Sequence, residues 1–235
     1  ANSNVKSRVN DGSLLSPTSC FHNLYVQWVE SAGARVVPIP YDAPQARLDT
    51  LFKSVNGLLF TGGETMIKNL TSPYMTTANY LLKKVVEAND QGTHVPLWGT
   101  CMGIQTLSVL VSQDPAVVLS NAFDSDNGLM LPLDMTSASK KSRLFGTLGS
   151  ISPPILNWFE TKDVTTNLHH DGVLPDSFHS NERLSSFFNV LSTNQDRKGK
   201  TFVSTIEGKR YPIYGVQWHP ERPQFEWGVD GVTKD

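Results

Sequence analysis

The run Gly99-Thr100-Cys101-Met102-Gly103 sets one cysteine between two glycines, directly after the apolar stretch Val95-Pro96-Leu97-Trp98. The helical pattern Ile104-Gln105-Thr106-Leu107-Ser108-Val109-Leu110 follows at once. Strand, sharp turn and helix in that order make a nucleophile elbow, with cysteine where serine is usual. A nucleophile in such a turn sits in strained backbone, and Gly99 and Gly103 keep Cβ atoms from colliding around it. A helix N-terminus behind the sulfur favours the thiolate, and the N–H of Met102 is placed to receive a developing oxyanion. A cysteine serving only as a small buried hydrophobe needs no glycine on both sides.

A thiol nucleophile also needs a base to activate it and an acid to protonate the leaving group. His219 fits, because it follows the apolar run Tyr214-Gly215-Val216-Gln217-Trp218, and reactive groups of open parallel sheets gather beyond the carboxyl ends of strands. Glu221 lies two residues on, so in extended chain it points to the same side and can orient the imidazole. Pro220 between them stiffens the pair.

Thr61-Gly62-Gly63, after the apolar strand Gly57-Leu58-Leu59-Phe60, is a second place where backbone N–H groups can approach a substrate unhindered. His169-His170-Asp171 offers a histidine at the mouth of the site. These residues with His219 do not form a zinc pattern, since neither a His-x-x-x-His helix nor a cysteine pair accompanies them, and no metal is expected.

The elements that must carry these groups follow from periodicity. Apolar residues at helical spacing predict helices over Phe21 to Ala32, with Gly33 as the stop, Pro73 to Asp90 and Ile104 to Val111, and a brief one over Asp49 to Val55. Strands are expected at Arg35 to Ile39, Gly57 to Phe60, Val95 to Trp98, Leu129 to Met135 and Tyr211 to Trp218. Phe187 to Ser192 and Thr201 to Glu207 read as an antiparallel pair turning at Asp196 to Lys200. Ser137 to Gly149 reads as polar loop, Pro153-Pro154 as a break, and the stretch after His170 as loop through Pro175. Strands apolar on both faces, alternating with helices, predict an α/β domain with a covered parallel sheet. Residues 1–20 read as a polar N-terminal segment and 21–235 as one domain.

The chain's 235 residues, 39% hydrophobic and 18% charged, suit one sizeable globular domain. A net charge of -2 gives no basic footprint for nucleic acid, and no apolar run is long enough for a membrane helix. Cys20 is the only other cysteine, so no disulfide framework is expected. The first residues lack the apolar core of a signal peptide, which fits either a cytosolic chain or a mature one. Asn69-Leu70-Thr71 is a glycosylation triplet compatible with a secretory route.

Taken together, Gly99 to Gln105, Gly57 to Gly63 and Gly215 to Glu221 resemble the class I glutamine amidotransferase-like domains. More narrowly, Glu30 to Pro38, Val95 to Cys101, Phe187 to Asn194 and Tyr211 to Glu221 are similar to the gamma-glutamyl hydrolase family, whose members are cysteine peptidases acting on folate polyglutamates. The likeness runs from about Tyr25 to Gly231. It implies a three-layer α/β sandwich with a mostly parallel central sheet, and hydrolysis of γ-glutamyl amide bonds through a γ-glutamyl thioester. It implies Cys101 as nucleophile, His219 as base, Glu221 behind it, Gly63 and Met102 as oxyanion donors, and Gly62, Gln105 and His169 on the substrate side. Poly-γ-glutamyl folates are the implied small-molecule substrate, with no cofactor. A lysosomal, vacuolar or extracellular location and a homodimer are also implied.

In that family an apolar strand precedes the first helix, where this chain has the polar stretch Val5 to Ser19, and a long amphipathic helix follows the region of Trp227, where this chain stops at Asp235. The first strand and the C-terminal helix of the family are therefore expected to be missing. Two other functions share these residues. One is a glutaminase subunit that hands ammonia to a synthase, which Gln105 in Cys-x-Gly-x-Gln suits. The other is an incomplete, non-catalytic relative that binds γ-glutamyl ligands.

Overall fold

The structure, a computed structural model, describes residues 20–146 and 151–226. The polar N-terminal segment, the place of the family's first strand and the region after Trp227 lie outside the described residues. In chain order come α1 (Leu24–Ser31), α2 (Gln45–Lys53), β1 (Leu58–Phe60), α3 (Pro73–Asp90), β2 (Leu97–Thr100), α4 (Met102–Ser112), β3 (Val118–Leu119), β4 (Ser125–Leu131) and β5 (Asp134–Met135). Then follow α5 (Pro153–Thr161), β6 (Thr165–His169), β7 (Gly172–Val173), α6 (Pro175–Ser180), α7 (Glu182–Phe187), β8 (Phe188–Gln195), β9 (Thr201–Gly208) and β10 (Ile213–Val216).

Six strands form one sheet in the order β1-β2-β10-β9-β8-β5. The pairs β1·β2 and β2·β10 are parallel, and the three pairs beyond them are antiparallel. The sheet is thus mixed, with β1, β2, β10 and β8 pointing the same way. The parallel part is the part that carries the candidate site. Register sets Gly99 of β2 between Phe60 and Gly215, so the carboxyl ends of β1, β2 and β10 finish side by side.

Alternate residues of the central strands feed cores on opposite faces. Leu97 and Ile213 enter the larger core with α3, α4 and α7, whereas Trp98 and Val216 enter a smaller one with Leu156 and Phe159 of α5. Trp28 of α1 packs on Trp98 from that second side, with ring centroids 5.9 Å apart. Helix α4 is buried along nearly its whole length and carries no charged residue, and its buried Thr106 and Ser108 donate back to Met102 O and Ile104 O within the helix. Helix α3 starts where expected because Ser72 accepts the Met75 N–H and Pro73 occupies the first turn.

Several expectations are corrected. Residues 34–40 form no strand, and Val37 is exposed, because no neighbouring strand among the described residues offers them a ladder. The strand expected over Leu129 to Met135 is split at Pro132, which cannot donate to a ladder, into β4 and β5 in different sheets. Pro153-Pro154 does not merely break the chain; it opens α5, since proline suits the first helical turn. The stretch read as loop after His170 through Pro175 carries β7 and opens α6, and α7 follows. β6 escaped notice because its Thr165, Thr166 and Asn167 are polar yet fully buried.

Candidate active site

Cys101 sits between β2 and α4 with φ 53° and ψ −107°, a left-handed conformation strained for a residue with a side chain. Its N–H donates to Val216 O of β10 at 2.8 Å, and its carbonyl accepts from Gln105 N. The glycines around it are required by backbone contact. A Cβ at Gly99 would meet the Gly103 carbonyl carbon at 2.7 Å, and one at Gly103 would run into the Phe60 carbonyl oxygen. The elbow is therefore packed backbone to backbone against β1 and α4.

His219 leaves β10 with its N–H donating to Thr166 O of β6 at 2.8 Å. Its Nδ1 donates to Glu221 Oε1 at 2.6 Å, and both side chains are buried. A point in ordinary Cβ position on Gly62 lies 3.1 Å from His219 Cε1 and 3.2 Å from Cys101 Cβ, so imidazole and thiol flank the same glycine. His219 Nε2 is buried and makes no hydrogen bond at standard geometry. Burial disfavours the imidazolium, but the charge of the Cys101 thiolate, followed by the Glu221 carboxylate, outweighs it and lifts the His219 pKa to about 10. The three residues expected to act together are brought together.

Gly62 is buried beneath this pair, and its N–H donates to the hydroxyl of Tyr25 at 2.8 Å. Gly63 has φ 143°, which favours glycine, and stands beside Met102, whose Cε is 3.7 Å from the Gly63 Cβ position. Met102 opens α4, where an N–H has no intrahelical acceptor. Among the described residues, the Gly63 N–H donates to no protein group either. Gln105 is buried, and its amide donates to Asp171 O at 2.9 Å and Gln217 Oε1 at 3.2 Å, pinning α4 to the turn after β6 and to the end of β10.

His169 also reaches the Asp171 carbonyl, through Nδ1 at 2.9 Å. A carbonyl only accepts, so Nδ1 carries the proton and Nε2 presents a lone pair, buried and without a protein partner. Burial above all, then the positive charge of His219, depresses the His169 pKa to about 3, despite its bond to the Asp171 carbonyl, and the ring packs 4.6 Å from Phe202 between centroids. His170 turns away and pairs with Asp126. Among the described residues no group of three or more acidic, histidine or cysteine side chains could hold a metal, and no helix is long and apolar enough to cross a membrane.

Tyr25 is the site residue that sequence reasoning missed. It lies on the buried face of α1 with its hydroxyl against Gly62, and in the sequence it is one more residue of an amphipathic helix. Its three-residue offset from Trp28, which packs on the sheet, is the available sign that it points inward.

Residues 2–114 match the Peptidase C26 family. The chain is 45% identical to the gamma-glutamyl hydrolase of Rattus norvegicus over 86% of its own length and 61% of that protein. It is 38% identical to the human gamma-glutamyl hydrolase, over 89% of this chain and 63% of that one. The chain is a homologue of the gamma-glutamyl hydrolases. It spans about three fifths of the length of these curated relatives. Gamma-glutamyl hydrolase B of Dictyostelium discoideum gives the same picture, 38% identical over 89% of this chain. Among solved structures, a Thermoplasma acidophilum protein assigned to GMP synthase superposes with a TM-score of 0.53 at 16% identity, covering 85% of this chain and 78% of that one. That likeness concerns the α/β fold alone.

Proposed function

We propose that this chain is a cysteine-dependent hydrolase of γ-glutamyl amide bonds, acting on poly-γ-glutamyl folates. The observation that carries the reading is the meeting of Cys101, in its strained elbow, with the Glu221-bound His219 around Gly62. The names of its homologues support the choice of γ-glutamyl bonds over other acyl groups.

In the proposed reaction the Cys101 thiolate attacks the γ-carbonyl carbon, and the oxyanion is received by the N–H groups of Met102 and Gly63. The C–N bond then breaks, and the imidazolium of His219 gives its Nε2 proton to the departing amine. Neutral His219 next takes a proton from water as the water oxygen attacks the γ-glutamyl thioester. The C–S bond breaks and the thiolate returns. The lone pair of His169 Nε2 is available to an N–H donor of the substrate.

Cys101→Ala should abolish release of glutamate from a folate pentaglutamate, followed by mass spectrometry, with circular dichroism unchanged. Undiminished turnover would reject the proposal. A preference for free glutamine over the pentaglutamate would instead favour the glutaminase reading. We further infer a lysosomal, vacuolar or extracellular location, supported by the exposed Asn69, whose side chain accepts from Thr71. Loss of a glycan mass on endoglycosidase treatment of the secreted chain tests it.

A further inference from the structure

Tyr25 is nearly enclosed, at 3% exposure, and its hydroxyl oxygen accepts the Gly62 N–H at 2.8 Å. One bond received leaves the hydroxyl proton still to be placed, and a buried donor without an acceptor is costly. Glu221 Oε1 is occupied by His219 Nδ1, while Glu221 Oε2 is buried without a partner at standard geometry. The titratable groups around the phenol are Glu221 and Cys101, with His219 against the same glycine and His169 beyond it. Burial, then the charges of Glu221 and Cys101, hold the hydroxyl protonated far above the usual tyrosine range, so it faces these anions as a donor.

We propose that Tyr25 is a positioning residue of the catalytic centre, accepting from Gly62 and donating to the Glu221–Cys101 side, so that one hydroxyl ties the Gly62–Gly63 turn to the residue that aims His219. The arrangement has a consequence in the reaction proposed above, on which its kinetic part rests. Once His219 has passed its proton to the leaving amine, Glu221 faces a neutral imidazole. The Tyr25 hydroxyl is then the donor that still balances the carboxylate charge. It also fixes Gly62, and through it the direction of the Gly63 N–H, without touching substrate. This explains why helix α1, at the rim of the fold, places a tyrosine at the bottom of the site.

Tyr25→Phe in the full chain removes the hydroxyl and keeps the ring. Two readouts are taken: steady-state hydrolysis of a folate pentaglutamate, and the rate of Cys101 alkylation by iodoacetamide against pH, which needs no substrate. We expect kcat to fall about 10- to 100-fold, the range for one preorganised donor or somewhat below it, with KM within about twofold. The alkylation midpoint should move up, because the anionic pair has lost a donor. A parent-like kcat and alkylation profile, with only the melting temperature lowered, would make Tyr25 merely structural and overturn the proposal. If the parent chain hydrolyses no γ-glutamyl substrate, the alkylation shift still decides the role of Tyr25. Should the phenylalanine protein not fold, 3-fluorotyrosine at position 25 keeps the shape and strengthens the donor. The midpoint should then move down, and an unmoved midpoint overturns the proposal.

Discussion

At the scale of single residues, the surroundings hold the two buried histidines in different charge states, one cationic and one neutral. His219 is held as imidazolium by Cys101 and Glu221 against its burial, with a pKa of about 10, whereas His169 is held neutral, with a pKa of about 3. The hydrolytic rate should therefore fall on the alkaline side as His219 loses its proton near pH 10. Glu221→Gln removes one of the charges that raise it, so that limb of the kcat/KM profile should move to lower pH; an unmoved limb means that Glu221 does not set it. His169 acts on stability instead. Its folded pKa lies below the ordinary 6.5, so the unfolded chain binds the extra proton. Its contribution is present above about pH 6.5 and is lost as the pH falls toward 3. In that window it adds a slope of up to about 1.4 kcal/mol per pH unit. Urea unfolding of His169→Gln, which cannot titrate, should show a flatter loss of stability between pH 6 and 4 than the parent.

At the scale of elements, the decisive contact is α4 against β1. Gly103 lies so close to the Phe60 carbonyl that an added Cβ has no room, and the opposing atoms are backbone. Gly103→Ala must push the helix off the strand and move Cys101 with it. A loss of roughly 1–3 kcal/mol, as for overpacked cores, with a loss of Cys101 reactivity, should appear in chemical unfolding and alkylation. An alanine protein as stable and reactive as the parent would mean that α4 shifts freely. The same contact explains what could be read in the sequence. Gly99 and Gly103 announce the elbow because only glycine fits there, and α3 announces itself through its cap and its long apolar stripe. His219 and Glu221 were legible as a base and its orienter, but not for the expected reason: the chain there is not extended, and the turn that begins at Pro220 brings the carboxylate to Nδ1. What was hidden obeys other physics. β6 is buried by hydrogen bonds: Thr165 Oγ1 donates to Leu131 O, and the Asn167 amide donates to Leu129 O and Thr165 O. Such a strand has no hydrophobic alternation to detect. Helices α6 and α7 span six residues each, too short to show a period. Residues 34–40 have strand composition, but a strand also needs a neighbour, and composition does not supply one. Tyr25 was hidden because an inward tyrosine on a helix reads as core.

At the scale of the molecule, the two cores share one sheet, and that sharing determines how the chain should unfold. Leu97 and Trp98 are adjacent in β2, yet the first belongs to the core under α3 and α4 and the second packs on the core under α5. Ile213 and Val216 divide β10 in the same way. Neither face can open without exposing the backbone of strands that hold the other, so the cores should melt together. The faces carry separate reporters. Trp28, Trp98, Trp158 and Trp218, four of the five tryptophans, line a cavity of about 400 Å³ on the α1 and α5 side, so the emission of these four indoles follows that face. The two longest helices among the described residues, α3 and α4, lie on the opposite side and make the largest single contributions to the helical circular dichroism. The two signals should give superimposable urea transitions. Leu97→Ala, which removes a fully buried side chain from the α3 and α4 face, should cost about 2–5 kcal/mol and lower both midpoints equally. If the indole signal instead kept its midpoint while the helical signal fell, the faces would be separate folding units, and the single domain read over residues 21–235 would have to be divided along the sheet.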